Sequence, residues 1–177
     1  MRHVAFIGMG ANLPSQAGAP EQTLVAATEA LREAGRVVAK SSLYETEPVD
    51  YADQPRFVNS VVQMETELAP DELLEFLLAI ERRYGRDRCR DIPKGPRALD
   101  LDLLLFDDLV LDSPRLTLPH PALALRRFVL TPLCEIAAGV RHPVLGATMR
   151  ELLTALPDEG ANRVRAVTKL RVGQPEL

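Results

Sequence analysis

The chain has 177 residues, 46% of them hydrophobic, which is enough for one substantial core in one domain. Its formal charge of −4 argues against broad binding to nucleic acid or to an anionic membrane. Residues 1–8 enter an apolar run that Gly and Pro soon interrupt, so neither a signal peptide nor a membrane span is expected, and the protein reads as cytoplasmic. Cys89 and Cys134 are far apart with no C-x-x-C spacing, which suits reduced thiols better than a zinc site or a disulfide framework.

Residues 4–9 read as a short buried strand ending in the turn chemistry of Gly10-Ala11-Asn12-Leu13-Pro14. A loop runs to Pro20, and from Glu21 the residues Leu24, Ala27, Ala30 and Leu31 recur at helical spacing, with Gly35 as the stop. Residues 37–46 and 57–67 are rich in β-branched and apolar side chains and predict two strands with a long connection. Pro70-Asp71-Glu72 is a strong helix start, because proline loses nothing at the first turn and acids complement the positive end of the dipole. Leu73, Leu74, Leu77, Ile80 and Tyr84 form its apolar stripe, closed by Gly85.

Residues 99–106 form the next strand, with Asp107-Asp108 turning the chain into Val110-Leu111. The order β-α-β-β-α-β is that of an α+β fold with a ferredoxin-like split sheet, helices packed on it and a C-terminal extension. Prolines divide the last third, apart from a short amphipathic helix over residues 148–156. Residues 1–160 are expected to form the domain. Residues 161–177 are the extension, in which alternation over 163–167 fits an edge strand before a flexible tail.

The chemistry concentrates around Asp100 and Asp102. On a strand they share one face, with Cα atoms about 7 Å apart, while Leu101, Leu103 and Leu105 take the other. Two carboxylates on an otherwise apolar strand repel each other and resist desolvation unless a cation sits between them, and Mg²⁺ suits carboxylates shared with phosphates. The competing reading is a solvated edge strand. Just before them, Arg82, Arg83, Arg86, Arg88, Arg90, Lys94 and Arg97 outnumber Asp87 and Asp91 by five charges in an acidic protein. Gly and Pro make that segment a loop, and its guanidinium groups suit phosphate; a merely solvated charge run is the alternative. Phe57 and Asn59 share a strand face and pair a stacking surface with a hydrogen-bonding amide, as a heteroaromatic ring would need. They read equally as a core Phe beside a solvent-facing Asn. His120 lies in the rigid Leu118-Pro119-His120-Pro121 turn, followed by Arg126 and Phe128. No phosphate-binding P-loop is present, and Gly8-Met9-Gly10 lacks the later glycine of a dinucleotide fingerprint.

Gly95-Pro96-Arg97-Ala98-Leu99-Asp100-Leu101-Asp102 resembles the G-P-R-x-x-D-[LIV]-D signature of the 6-hydroxymethyl-7,8-dihydropterin pyrophosphokinases. Segments in the same order add to the likeness: Gly10-Ala11-Asn12-Leu13, Ser42-Leu43-Tyr44-Glu45-Thr46, Asp53-Gln54-Pro55-Arg56-Phe57-Val58-Asn59, Leu118-Pro119-His120-Pro121 and Arg126-Arg127-Phe128. The resemblance implies transfer of pyrophosphate from ATP to the pterin hydroxymethyl group in folate biosynthesis, giving AMP and the pterin diphosphate. It implies that Asp100 and Asp102 hold two Mg²⁺ ions and act in catalysis with Arg86 and Arg97. Arg86, Arg88, Arg97, His120 and Arg126 would bind ATP, with Leu103 and Thr117 near the adenine through backbone groups; Phe57, Asn59 and Phe128 would bind the pterin, with backbone groups around Thr46 and Val49 completing its pocket. A monomer with no nucleic-acid partner is expected. Two other classes remain: a non-catalytic ferredoxin-like module binding nucleotide or single-stranded RNA, and a phosphohydrolase or nucleotidyltransferase using the same aspartates.

Overall fold

The computed structural model describes residues 1–48, 53–86, 95–158 and 164–166. Its centre is β1 (His3–Ala11), which pairs antiparallel with β4 (Phe57–Thr66) on one side and β5 (Asp100–Phe106) on the other. The sheet order is β5-β1-β4-β3-β8, where β3 is Tyr44–Thr46 and β8 is Val164–Ala166, and β2 (Gly35–Lys40) also pairs with β4. The first strand therefore lies between the two that bear the candidate chemistry.

One continuous strand over 37–46 is not what forms. Residues 41–43 leave the ladder, and Ser41 replaces it with a local exchange: its N–H donates to the Val61 carbonyl at 2.9 Å while its Oγ accepts from the Val61 N–H at 2.9 Å. The strand expected within 163–167 is found as β8, paired with β3. The turn at Asp107 takes a left-handed conformation, φ 46°, with Asp107 Oδ1 accepting from the Val4 N–H at 2.8 Å. It leads to a small hairpin of β6 (Leu111–Asp112) and β7 (Thr117–Leu118).

Period-two alternation sorts β1 cleanly. Ala5, Ile7, Met9 and Ala11 face α1 (Pro20–Leu31) and α2 (Pro70–Arg83) in one cluster that also holds Leu24, Leu31, Leu73, Leu77 and Ile80. Phe6 faces the opposite layer, α3 (Arg127–Ala137) and α4 (Met149–Ala155), with Leu130, Leu133 and Met149. A register shift then overturns one expectation about β5. Ile7 lies opposite Leu103 and Phe6 opposite Leu105, so Leu104 is an extra residue. After this bulge the alternation changes phase, and Leu105 packs in the Phe6 cluster rather than with Leu101 and Leu103.

Helix α3 is the element the sequence concealed. Pro132 lies inside it and removes the bond that a residue there would make to the Phe128 carbonyl. Burial of Leu130, Leu133 and Ala137 offsets that loss, each fully buried leucine contributing about 1.5–3 kcal/mol. The short helix α4 is where the sequence placed it. Thr148 caps it, accepting from the Glu151 N–H at 3.2 Å while Glu151 accepts from the Thr148 N–H at 2.7 Å.

Candidate active site

The layer of α3 and α4 covers only part of its sheet face, and the remainder is a cavity of about 340 Å³, the size of a small-molecule site. Gly8 and Gly10 form its floor, on the β1 face that carries Val4 and Phe6. A methyl group at Gly10 would come within 3.0 Å of Asn59 Oδ1, and one at Gly8 within 3.4 Å of Leu104 Cδ1. The glycines keep the floor low enough for a ligand to lie on the sheet.

On one side stand Asp100 and Asp102, paired in register with Gly10 and Gly8 and both lining the cavity. β5 ends the described sheet path as an edge strand, yet Asp100 is only 19% exposed beside two guanidinium groups, whereas Asp102 is 39% exposed. Arg97 Nε lies 3.3 Å from Asp100 Oδ2, Arg86 reaches within 4.0 Å of Asp100 Oδ1, and His120 Nε2 lies 3.8 Å from Asp102 Oδ1. His120 Nδ1 accepts the Ala122 N–H at 3.1 Å, so the neutral ring carries its proton on Nε2, aimed into the cavity. Burial and then the Arg126 guanidinium hold the His120 pKa below its ordinary value, with Asp100 acting in the opposite direction. The ring is therefore a neutral donor at pH 7.

The other side is a flat, hydrogen-bonding wall. Phe57, Asn59 and Val61 line the cavity from β4, and Phe128 lines it from the first turn of α3. Phe57 and Asn59 are buried, at 8% and 6% exposure, so Asn59 does not face open solvent. Its Nδ2 donates to Thr46 Oγ1 at 2.7 Å, which leaves Oδ1 as the acceptor beside Gly10. The Arg97 guanidinium lies 4.9 Å from the centre of the Phe57 ring, and that of Arg126 lies 5.5 Å from the Phe128 ring. Arg127, next in sequence, instead donates to the Leu153 and Leu156 carbonyls at the end of α4, at 3.2 and 2.9 Å.

Ten of the residues singled out from sequence thus line one cavity: Thr46, Phe57, Asn59, Arg86, Arg97, Asp100, Asp102, His120, Arg126 and Phe128. Leu103 does not join them, its side chain lying in the α1–α2 core. The Thr117 side chain is also outside the lining, with its hydroxyl 3.4 Å from Asp112 Oδ1. Val49, Arg88 and Cys89 lie outside the described residues.

Sequence reasoning passed over two positions beside the cavity. Asn12, 4% exposed, donates from Nδ2 to Gln54 Oε1 at 3.0 Å and to the Pro55 carbonyl at 2.9 Å, and its Oδ1 accepts the Arg97 N–H at 2.8 Å. No periodicity points to such a junction. Glu81, 1% exposed, accepts the Leu101 N–H at 2.8 Å, behind the aspartate strand. That one had a signal: it falls four residues after Leu77, on the apolar stripe of α2.

Among the described residues no group of three or more His, Cys, Asp or Glu forms a metal cage. Two carboxylates beside cationic side chains fit Mg²⁺, which keeps waters and takes its remaining ligands from substrate phosphates. A family model described as 7,8-dihydro-6-hydroxymethylpterin-pyrophosphokinase matches residues 6–138. The chain belongs to this family. It is 45% identical over 161 residues to the 2-amino-4-hydroxy-6-hydroxymethyldihydropteridine pyrophosphokinase of Pseudomonas aeruginosa, spanning 90% of this chain and 95% of that one. The Bacillus subtilis protein of the same name is 40% identical over 149 residues, spanning 83% and 86%. Among solved structures, wild-type Plasmodium falciparum HPPK-DHPS with pteroate has the same fold, with a TM-score of 0.66 at 16% identity. The match covers 87% of this chain and 42% of that one.

Proposed function

We propose that the open-face cavity transfers pyrophosphate from ATP to the hydroxymethyl oxygen of 6-hydroxymethyl-7,8-dihydropterin. The chain is an ATP-dependent diphosphotransferase of folate biosynthesis. The observation that carries the assignment of roles is that carboxylates, guanidinium groups and the ring-and-amide wall line the same cavity.

In this reading the pterin stacks against Phe57 and Phe128. Asn59 Oδ1 accepts from the ring's donors, its orientation set by the bond to Thr46, and Val49 and the backbone near Thr46 complete the pocket. Arg86, Arg88, Arg97 and Arg126 bind the triphosphate, His120 donates from Nε2, and backbone groups at Leu103 and Thr117 border the adenine. The pterin oxygen bonds to the β-phosphorus as the bridge between the α- and β-phosphates breaks; AMP leaves and the hydroxyl proton is released. Positioning and charge neutralisation supply the catalysis expected for phosphoryl transfer. Asp100 and Asp102 would hold Mg²⁺, two ions in our reading, which when bound neutralises phosphate charge and orients the reacting groups.

We also read the sheet as ferredoxin-like, supported by its antiparallel order with β1 between β4 and β5. The domain is taken as residues 1–160 with an extension beyond, and the protein as a cytoplasmic monomer without nucleic-acid partners. No described helix is long and apolar enough to cross a membrane. An RNA-binding sheet is disfavoured because Asp100 and Asp102 would repel a phosphate backbone laid across this face. The test is product identity after incubation with ATP, Mg²⁺ and the pterin. Stoichiometric AMP and a pterin diphosphate are expected, whereas ADP, or nucleotide turnover independent of pterin, would refute the proposal.

A further inference from the structure

Glu135 lies on α3, seven residues after Phe128. Seven residues are two helical turns, so the two side chains leave the same side of the helix about 10 Å apart. The Glu135 carboxylate gathers three donors from the link between β2 and β3 and the first residue of β3. Oε2 accepts the Ser42 N–H at 2.9 Å and the Tyr44 hydroxyl at 2.7 Å, and Oε1 accepts the Ser42 hydroxyl at 2.8 Å. Burial and then the bond to Glu135 push the Tyr44 phenol up to about 12, and the three donors hold Glu135 below the usual carboxylate range against its own burial.

The other side of this link is already fixed. Ser41, 3% exposed, is bonded to both the N–H and the carbonyl of Val61, a residue of the cavity wall. Two residues past Tyr44 stands Thr46, which orients the Asn59 amide. The link is therefore held to β4 by Ser41 and to α3 by Glu135, and those two elements carry Asn59 and Phe128 of the cavity lining.

We propose that Glu135 is a positioning residue for the pterin pocket, clamping α3 to the β2–β3 link so that Phe128 is held at a fixed distance from Asn59 and Thr46. It touches no substrate. The proposal rests on the reading of Phe128 and Asn59 as the pterin wall. Without the clamp the outer turns of α3 rock on the sheet, and the slot for a flat ring loses its width. Of the triphosphate groups, Arg86, Arg97, Asp100 and Asp102 stand apart from α3 and keep their places, whereas Arg126, at the N-terminus of α3 beside Phe128, moves with the helix. The lesion therefore falls chiefly on the pterin.

The test is steady-state kinetics on Glu135→Ala, Glu135→Gln, Tyr44→Phe and Phe128→Ala, measured well below each variant's melting temperature. Glu135→Ala should raise the pterin KM about tenfold and change the ATP KM less than about twofold. Glu135→Gln, which keeps an acceptor for the Ser42 N–H, should recover most of that loss. Tyr44→Phe, which removes one bond of three, should raise the pterin KM about twofold. Should Glu135→Ala fail to fold, the Gln and Phe variants carry the same comparison. Phe128→Ala separates the two levels of the argument. If it raises the pterin KM while the Glu135 and Tyr44 variants behave as wild type or lose both substrates equally, the clamp is wrong. If Phe128→Ala leaves the pterin KM unchanged, the pocket itself is misassigned and the clamp falls with it.

Discussion

The two faces of the sheet are built from the same strands and to opposite ends. Against α1 and α2, alternate residues of β1 are Ala5, Ile7, Met9 and Ala11, and the layer is sealed by leucines at or near zero exposure. On the other face the sequence of side chains is Val4, Phe6, Gly8, Gly10, so packing gives out after two residues and a cavity begins. The closed face provides the stability that lets the open face carry like-charged carboxylates, guanidinium groups and a bare glycine floor. The contrast teaches that lesions on the two faces should be read by different measurements.

The largest effect belongs to the open face. Asp100→Ala and Asp102→Ala are each expected to lower turnover by about 10³-fold or more while the far-ultraviolet circular dichroism stays native, because they remove electrostatic stabilisation and not packing. Unchanged turnover in both variants would break the comparison. Next comes the closed face, where Leu77→Ala should cost about 2–5 kcal/mol in urea unfolding, with the kcat of the folded protein near that of wild type. A selective loss of turnover there would show that the faces are not separable.

Gly10→Ala sharpens the boundary between them. Its methyl group meets Asn59 Oδ1 at 3.0 Å, so the pterin KM should rise about fivefold while thermal stability holds. The smallest effect lies in the layer that partly covers the open face. Buried His142 accepts the Val144 and Leu145 N–H groups at Nδ1, at 3.3 and 3.2 Å, and burial holds its pKa below the ordinary value. Its folded pKa lies below its unfolded value, so the neutral ring's contribution is fully present above about pH 6.5 and is lost as pH falls through the folded pKa. His142→Asn, which keeps an acceptor near Nδ1, should flatten that part of the melting profile. An unchanged acid slope would remove His142 from the account.

The closed face was legible in the sequence because burial there follows simple periods. Leu24, Ala27 and Leu31 on α1, and Leu73, Leu77 and Ile80 on α2, repeat at helical spacing, and the strands alternate. The open face was legible only where residue chemistry conflicted with that pattern, as with Asp100 and Asp102 within a leucine strand. What stayed hidden depends on contacts distant in sequence. Pro132 masked α3, the extra residue at Leu104 reversed the alternation of β5, and Asn12 acts through Gln54, Pro55 and Arg97. Glu135 looks like any exposed helix carboxylate until its partners at Ser42 and Tyr44 are known.

The most direct test is a crystal structure with Mg²⁺, the pterin and an ATP analogue whose α–β bridge resists cleavage. The account predicts ring density between Phe57 and Phe128, with phosphate density beside Asp100, Asp102 and Arg97. Ligand density elsewhere, such as the concavity around Arg2, Glu33 and Arg36, with the open face empty, would contradict it.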